Sequence, residues 1–471
     1  MKLNDLVQTT SDVEIKGITS DSREVESGFL FGSLNDDIFV KDAVSKGAVA
    51  VIVPETFQIE LPKEVVIIRS ENPTRVYAKA VAAFFGTMPK HMIAITGTNG
   101  KTSIADFVRQ VLTMMGQKAA SIGTLGLIKG NEEPIPSPNT TPNNVRLHKW
   151  LHELSEEGFD YGILEASSHG LHQGRLGGVS FEVAGFTNLT RDHLDYHKTF
   201  ENYLDAKLIL FRENLKENGT AVLNADIDVY EKIASVCCSR GQRIISYGYA
   251  GKEIRLIQAT PLPHGQRLEI EFFGEHKVLD IPLAGVFQAM NVLCAIGMLV
   301  AVTDQKEKIL ELITSIRGAK GRLELVAQTN SGAAVYVDYA HTPDALENVL
   351  KALRPHTNGK LHVLFGCGGN RDKGKRPIMG ALAAKLADVV YVTDDNPRFE
   401  EADEIRSEIM VACPGAYDIP GRAAAIRTAI SNLKAGDVLV LAGKGHESGQ
   451  YIKGEVIPFS DHEEVLKALK D

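Results

Sequence analysis

Cysteine is scarce and unpatterned in this chain. Cys237, Cys238, Cys294, Cys367 and Cys413 are scattered through 471 residues, odd in number and without a C-x-x-C pair. That pattern excludes a disulfide framework and a zinc ribbon, and free thiols suit a reducing cytoplasm. No run of about 18 apolar residues occurs, so no membrane span is expected. The opening MKLNDLVQTT lacks a basic flank followed by an apolar core, so no secretory signal is expected either. Positive charge is also in deficit: Lys and Arg number 51 against 60 Asp and Glu, a formal net charge of −9. A general nucleic-acid binder is therefore not expected, and any anionic ligand must meet positive charge concentrated at a site. There is no internal repeat and no low-complexity segment. What is present is an ordinary globular composition, 44% hydrophobic and 24% charged, in a chain long enough for about three domains.

Apolar runs and breakers divide the chain. The first 88 residues hold short strand-like runs, GAVAVIVP and EVVIIRS, and an amphipathic stretch from Arg75 to Phe85. GTMPK at 86–90 breaks that helix and reads as a linker. The middle region opens with the apolar strand HMIAITG (91–97), a Gly-containing loop, and a helical pattern over 103–115. YGILEASS (161–168) and EVAGFTNL (182–189) read as buried parallel strands with polar tips. The last 150 residues alternate strand and helix again. LHVLFGCGG (361–369), DVVYVTDDNP (388–397) and DVLVLAGKGHE (437–447) each run from an apolar strand into glycine, acidic or basic residues. Ligands of doubly wound sheets lie beyond the carboxyl ends of strands, so these tips suggest a binding edge. The fold class expected is α/β in three domains: a small N-terminal domain (1–88), a central parallel-sheet domain with a phosphate loop (89–320), and a C-terminal Rossmann-like domain (321–471).

The loop GTNGKTS (97–103) ends like a P-loop but lacks its outer glycine, because Ile95 occupies that position. Strand, glycine loop and helix is the context that a phosphate loop requires. Backbone N–H groups there form an anion nest, Lys101 can reach β- and γ-phosphates, and Thr102 can ligate magnesium. Glu165 ends an apolar strand, where nucleotide enzymes place a magnesium-binding acid, though a lone acid at a strand tip is more often just solvated. His193 and His197 in TNLTRDHLDYH are four apart. That is half a zinc site, one ligand of a harder-metal site, or a pair of surface histidines.

GTNGKTS, EASSHGLHQGRL, FTNLTRDHLDYH and YLDAKLILF occur in the order seen in the Mur ligases, the ATP-dependent amide-forming enzymes of peptidoglycan precursor synthesis. The loop is similar to that family's single-glycine version. GRLEL (321–325), VDYAHTPDAL (337–346), FGCGGNRDKGKRPIMG (365–380), TDDNPR (393–398) and GKGHE (443–447) resemble the branch that adds the third residue of the stem peptide. The resemblance spans nearly the whole chain. It implies that Gly97, Thr98, Asn99, Gly100, Lys101, Thr102 and Ser103 hold ATP phosphates. It implies that Thr102, Glu165 and His193 surround Mg2+, with Lys101, His193 and Lys207 catalytic. Asn291, Arg322 and Asp338 fall where the family contacts the nucleotide. Ser20, Ser22, Asn139, Thr140, Thr141, Ser167, Gln173 and Arg175 fall where it holds a UDP-N-acetylmuramoyl dipeptide. Lys207 matches a lysine that the family carbamylates (N6-carboxylysine). A carbamate turns a cationic amine into an anionic oxygen ligand, and its formation needs a neutral amine of lowered pKa.

The same resemblance places the incoming amino acid on Arg371, Asp395, Asn396, Pro397, Arg398, Gly443 and Glu447. Arg398 offers a planar fork to a carboxylate. Meso-diaminopimelate carries a distal carboxylate and L-lysine does not, so diaminopimelate is expected, with L-lysine as the alternative. The expected partners are ATP, the UDP-linked dipeptide and diaminopimelate, acting on a cytoplasmic monomer with no nucleic acid or membrane partner. Three departures stand out. Phe287-Gln288 replaces the family's Phe-Asn, SLNDD is shorter than the usual loop ending in Asp-Gly-His, and EEA (400–402) replaces Glu-Asp-Pro. A folylpolyglutamate synthase-like ligase would share the loop but not DNPR with GKGHE. A non-catalytic nucleotide-sugar binder would not keep Lys101, Thr102, Glu165, His193 and Lys207 together.

Overall fold

The computed structural model describes residues 1–34, 37–190, 192–262 and 265–470. Asn35 and Asp36 of the short SLNDD segment therefore lie outside the described residues. The chain divides into two compact units, 1–252 with 294–306, and 253–293 with 307–471. Among the described residues no helix is long and apolar enough to cross a membrane.

The first unit contains two sheets. Gly17–Thr19, Phe29–Gly32, Ala48–Pro54 and Val66–Ser70 pair in chain order, all parallel. The helix Pro73–Phe85 starts where the Asn72 side chain accepts from Arg75 N at 2.9 Å, with proline in the first turn, where its missing N–H costs nothing. It buries Tyr77, Ala80 and Val81 against Leu30, Ala50 and Ile52.

The larger sheet of this unit runs in the order Arg243–Gly248, Leu215–Asn224, Phe181–Phe186, His91–Thr96, Tyr161–Glu165, Ala119–Gly123 and Gly126–Lys129. All pair in parallel except the last. His91–Thr96 lies at its centre, between Phe181–Phe186 and Tyr161–Glu165. The three strands are apolar runs with nearly every residue buried, as a sheet covered on both faces requires. They end side by side at Thr96, Glu165 and Phe186, so the segments that follow share one edge. The helix Lys101–Met114 follows directly and buries Ile104, Phe107, Val108, Val111 and Leu112.

The second unit holds an antiparallel meander, Ile254–Leu262, Gly265–Phe272 and Glu275–Ile281. It also holds a six-stranded sheet in the order Glu324–Gln328, Ala334–Asp338, Val438–Ala442, Leu361–Phe365, Val389–Val392 and Tyr417–Asp418. Only the first of these is antiparallel. Val438–Ala442 comes late in sequence but inserts between the two earlier strands. The strand tips at Asp338, Phe365, Val392 and Ala442 thus carry YAH, GCGG, TDDNPR and GKGHE to one edge. A short hairpin, Gly449–Ile452 with Glu455–Pro458, follows GKGHE.

Candidate active site

Gly97 makes the turn from strand to loop at φ +139°, and a Cβ there would lie 1.9 Å from Thr187 Oγ1. Only glycine fits, because a neighbouring strand tip crosses the loop at this point. That tip holds the loop throughout. Thr98 N donates to Asn188 O and Asn99 N to Asn188 Oδ1, both at 2.9 Å. Thr187 Oγ1 donates to Asn99 O at 2.6 Å. Lys101 curls back, its Nζ 2.9 Å from Gly97 O and 2.8 Å from Thr98 O. A lysine and a helix N-terminus at the end of a glycine turn are groups that can receive an anion.

Thr102 and Glu165 meet as the sequence implied. Thr102 Oγ1 donates to Glu165 Oε2 at 3.0 Å, and Glu165 also accepts from Thr124 N at 2.8 Å and Thr124 Oγ1 at 3.2 Å. Glu165 is buried. A buried carboxylate and a hydroxyl beside the loop are hard oxygen donors, which fit magnesium. His193 sits in the left-handed region, φ +51°, and joins a ring cluster instead. His169 and His193 are 4.7 Å apart between centroids, His169 and His197 5.4 Å, and His197 and Tyr203 5.3 Å. His197 is held down to about 4, by burial first and then by the neighbouring histidines and Lys207. Among the described residues, no group of three or more His, Cys, Asp or Glu is arranged to hold a metal.

Lys207 has the most informative environment. Its side chain is 1% exposed, and its Nζ donates to Gly97 O at 2.8 Å, the same carbonyl that Lys101 uses. Its Nζ lies 4.5 Å from the centroid of the Tyr203 ring. Burial, then the Lys101 charge, hold its pKa well below the ordinary lysine value. Tyr203 was missed in the sequence because an aromatic in a helix usually signals packing. Its hydroxyl is 3.2 Å from Thr98 Oγ1, so it joins the loop to Lys207.

Five of the residues implied for the dipeptide form one network. Thr141 Oγ1 lies 2.9 Å from Ser167 Oγ and donates to Glu165 O at 2.7 Å. Arg175 donates to Thr141 O at 2.8 Å and to Gln173 Oε1 at 2.7 Å. Thr140 Oγ1 is 3.1 Å from Thr124 Oγ1, so the network touches Glu165 from both sides. Gln173 Nε2 and His172 Nδ1 reach the Tyr196 hydroxyl. Asn139 is exposed in the same loop. Ser20 is exposed and Ser22 buried in the first sheet's tip, where Lys46 donates to Ser22 O at 3.0 Å.

In the second unit, the Arg322 guanidinium lies 4.8 Å from the centroid of the Tyr339 ring, and its Nε is buried without a partner among the described residues. Asp338 accepts from Leu323 N at 2.6 Å and Ala340 N at 2.7 Å, while burial raises its pKa. Asn291 donates to Gln288 Oε1 at 2.9 Å, and Gln288 reaches Arg322 O. The glutamine that departs from the family's Phe-Asn pair is thus a buried partner of Asn291 and Arg322.

The amino-acid edge is built from DNPR and GKGHE. Gly443, at φ +115°, leaves no room for a side chain, since a Cβ would be 2.6 Å from Asp395 Oδ2. Asn396 Nδ2 donates to Glu447 Oε2 at 2.9 Å. The guanidinium of Arg398 donates to Gly369 O at 2.9 Å and to Asn396 O at 3.5 Å. It makes no ion pair among the described residues, because the nearby acids are engaged elsewhere. Glu400 is held by Arg376 at 3.0 Å and Lys373 at 3.1 Å, and Glu401 by Lys453 at 3.2 Å. Arg376 first, then the Asn370 N–H and Lys373, hold Glu400 down to about 2. Arg371 is exposed, and Pro397 carries no polar side-chain group.

The profile of the Mur ligase middle domain matches residues 95–299, and that of the Mur ligase glutamate ligase domain matches 321–445. The chain belongs to the Mur ligase family of ATP-dependent amide-forming ligases. A relative from Caulobacter vibrioides, named UDP-N-acetylmuramoyl-L-alanyl-D-glutamate--2,6-diaminopimelate ligase, is 47% identical over all of this chain and 99% of its own. A solved structure of a ligase of that name is 30% identical, covers 100% of this chain and 99% of its own, and has a TM-score of 0.75. Mycobacterium tuberculosis folylpolyglutamate synthase complexed with ADP shares the fold alone, at 17% identity, 79% and 92% coverage and a TM-score of 0.62.

Proposed function

We propose that this chain joins meso-2,6-diaminopimelate to UDP-N-acetylmuramoyl-L-alanyl-D-glutamate at the expense of ATP, a step in building peptidoglycan precursors. The observation that carries the reading is end-to-end likeness to ligases of that name together with an Arg398 that makes no ion pair among the described residues. We assign 1–88 to the uridine end of the substrate, 89–320 to ATP, and 321–471 to the amino acid. The enzyme works as a monomer in the cytoplasm.

A carboxylate does not react with an amine in neutral water, so the D-glutamate carboxylate first takes the γ-phosphoryl group of ATP. The resulting acyl phosphate has a good leaving group. The amine attacks, and the tetrahedral intermediate collapses to amide and phosphate. The chain's contribution is positioning and charge stabilisation. Lys101 turns from the Gly97 and Thr98 carbonyls to the phosphates, which are better acceptors. Arg175, Gln173 and Ser167 hold the dipeptide where the Thr141 network touches Glu165. Thr102 and Glu165, with His193 as the further ligand that the family resemblance implies, would hold magnesium, which would screen the negative charge of the phosphates. The Lys207 amine, whose lowered pKa favours the neutral form, adds through its nitrogen to the carbon of CO2 and releases a proton to solvent, and the resulting carbamate supplies an anionic oxygen group beside the loop. Arg322 and Asp338 address the nucleotide, while Arg398 reads the distal carboxylate and Glu447 the ammonium.

Phosphate release measured with ATP, the UDP-linked dipeptide and a panel of amino acids tests the reading. Turnover with meso-diaminopimelate well above L-lysine is expected. A preference for L-lysine, or for glutamate with a folate acceptor, overturns it.

A further inference from the structure

GKGHE contains a lysine that nothing above assigns. Lys444 is completely buried, yet its ammonium is saturated. It donates to Asn396 Oδ1 at 3.1 Å, to Glu447 Oε2 at 2.9 Å and to Gly449 O at 2.7 Å. A buried ammonium needs such partners, and partner count alone would make it structural. Which partners it has is the informative point. Two of the three are the side chains of Asn396 and Glu447, and these are bonded to each other at 2.9 Å. The lysine thereby fixes which way the Asn396 amide faces. It also concentrates both internal donors on one oxygen of Glu447, leaving Oε1 without a partner among the described residues. The third bond reaches the hairpin that holds Arg398. Tyr451 N donates to Asn396 Oδ1 at 3.1 Å, Arg398 N to Tyr451 O at 2.9 Å, and Lys453 N to Arg398 O at 2.6 Å.

We infer that Lys444 is a positioning and selectivity residue of the amino-acid site, setting Glu447 and the Arg398 backbone in register and offsetting the charge of Glu447. This rests on the reading that Asn396, Arg398 and Glu447 hold the amino acid. The charge argument gives the direction of the effect. With Lys444 in place, the pair is neutral overall, so a bare ammonium is weakly retained and an end that also carries a carboxylate for Arg398 is favoured. Without Lys444, Glu447 becomes an unopposed carboxylate that favours a simple cation, while Arg398 loses the support of its hairpin.

The test compares wild type, Lys444→Met and Lys444→Gln as full-length enzymes. The readouts are kcat/KM for diaminopimelate and for L-lysine, and hydroxylamine trapping of acyl phosphate without amino acid. Breaking a buried, hydrogen-bonded charge pair predicts that the diaminopimelate-to-lysine ratio falls by about 30-fold or more. Acyl-phosphate trapping should stay within about threefold of wild type, because only an interaction with the amino acid has been removed. A ratio within about threefold of wild type in a folded variant overturns the inference. So does a loss of trapping in proportion to turnover, or failure of both variants to fold, since either makes the lysine merely structural. Arg398→Ala is run alongside. An unchanged ratio there removes the amino-acid-site reading itself, which separates that failure from one confined to Lys444.

Discussion

Replacing Lys207 with methionine keeps the buried stem and removes the amine. Wild-type Lys207 and Lys101 both donate to Gly97 O, at 2.8 and 2.9 Å. Two ammoniums on one oxygen, separated on the order of 5 Å at an effective dielectric of about 20, repel by about 3 kcal/mol. Burial of the amine is the larger cause and this repulsion the second, and together they hold its pKa well below the ordinary lysine value, which favours the neutral form that is nucleophilic toward CO2. A carbamate there removes the repulsion and gives Lys101 an anionic neighbour. Loss of one preorganised charged group in such a site costs roughly 10²–10³ in kcat, which is the loss expected for Lys207→Met. The assay is phosphate release at saturating substrates, in CO2-depleted buffer and with bicarbonate restored. Wild type should regain activity with bicarbonate, and the variant should regain part of it only with added short carboxylates. The pH profile has a defined sign. The folded pKa is depressed, so the neutral amine persists until pH falls through that value. The amine then protonates, the carbamate reverts, and activity drops on the acid side. For stability, the unfolded chain binds the extra proton between the folded pKa and the ordinary lysine value. In CO2-free buffer, wild-type stability therefore rises with pH across that window, and the slope flattens in Lys207→Met. Full wild-type activity after exhaustive CO2 removal, with no labelled carbamate carbon detectable by NMR from isotope-labelled bicarbonate, would refute the reasoning.

Lys101→Ala should leave the thermal transition unchanged and reduce kcat by about 10²-fold or more; phosphate release within a few fold of wild type would remove the loop from the mechanism. Arg398→Ala should erase a diaminopimelate preference worth about 2–4 kcal/mol, roughly 30- to 1000-fold in kcat/KM against L-lysine. The buried pair Arg422–Asp461, both 0% exposed and 2.7 Å apart, predicts that Arg422→Met costs about 3–5 kcal/mol by stranding a carboxylate; denaturant unfolding showing less than about 1 kcal/mol of loss would contradict it.

The strands of the site were legible because each is a short apolar run ending in glycine or a polar group. His91–Thr96, Tyr161–Glu165, Leu361–Phe365 and Val438–Ala442 fall within the runs read from sequence. The helix after the loop begins at Lys101, two residues before the apolar periodicity does, because capping by loop geometry leaves no periodic signal. The grouping of Thr102 with Glu165 came from the family resemblance, and the two are hydrogen-bonded in the structure. Tyr203, Thr124, Asn188 and Lys444 were not legible. Each makes a contact across 41 to 105 residues of sequence, and no local pattern encodes such a contact. The state of Glu400 was equally hidden. It lies two residues from Arg398 in sequence, but the fully buried Arg376 claims it from the helix Lys375–Leu386.

Gly97 ties the loop's unusual spelling to the chemistry. Its carbonyl is the common acceptor of Lys101 and Lys207, and its missing side chain is what lets Thr187 approach. A second glycine at position 95 would do neither. Ile95 is fully buried in the central strand and pairs with Glu165 on one side and Gly185 on the other. The strand thus stays regular up to Thr96, and all of the left-handed backbone needed for the turn falls on Gly97 and Gly100. Strand regularity keeps Glu165 in register with Ile95, two residues before the glycine whose carbonyl holds both amines. The loop therefore brings Lys101 and the low-pKa Lys207 to one peptide group, while the regular strand before it sets Glu165 beside Ile95. A loop with its glycine earlier would loosen the strand that fixes that carboxylate.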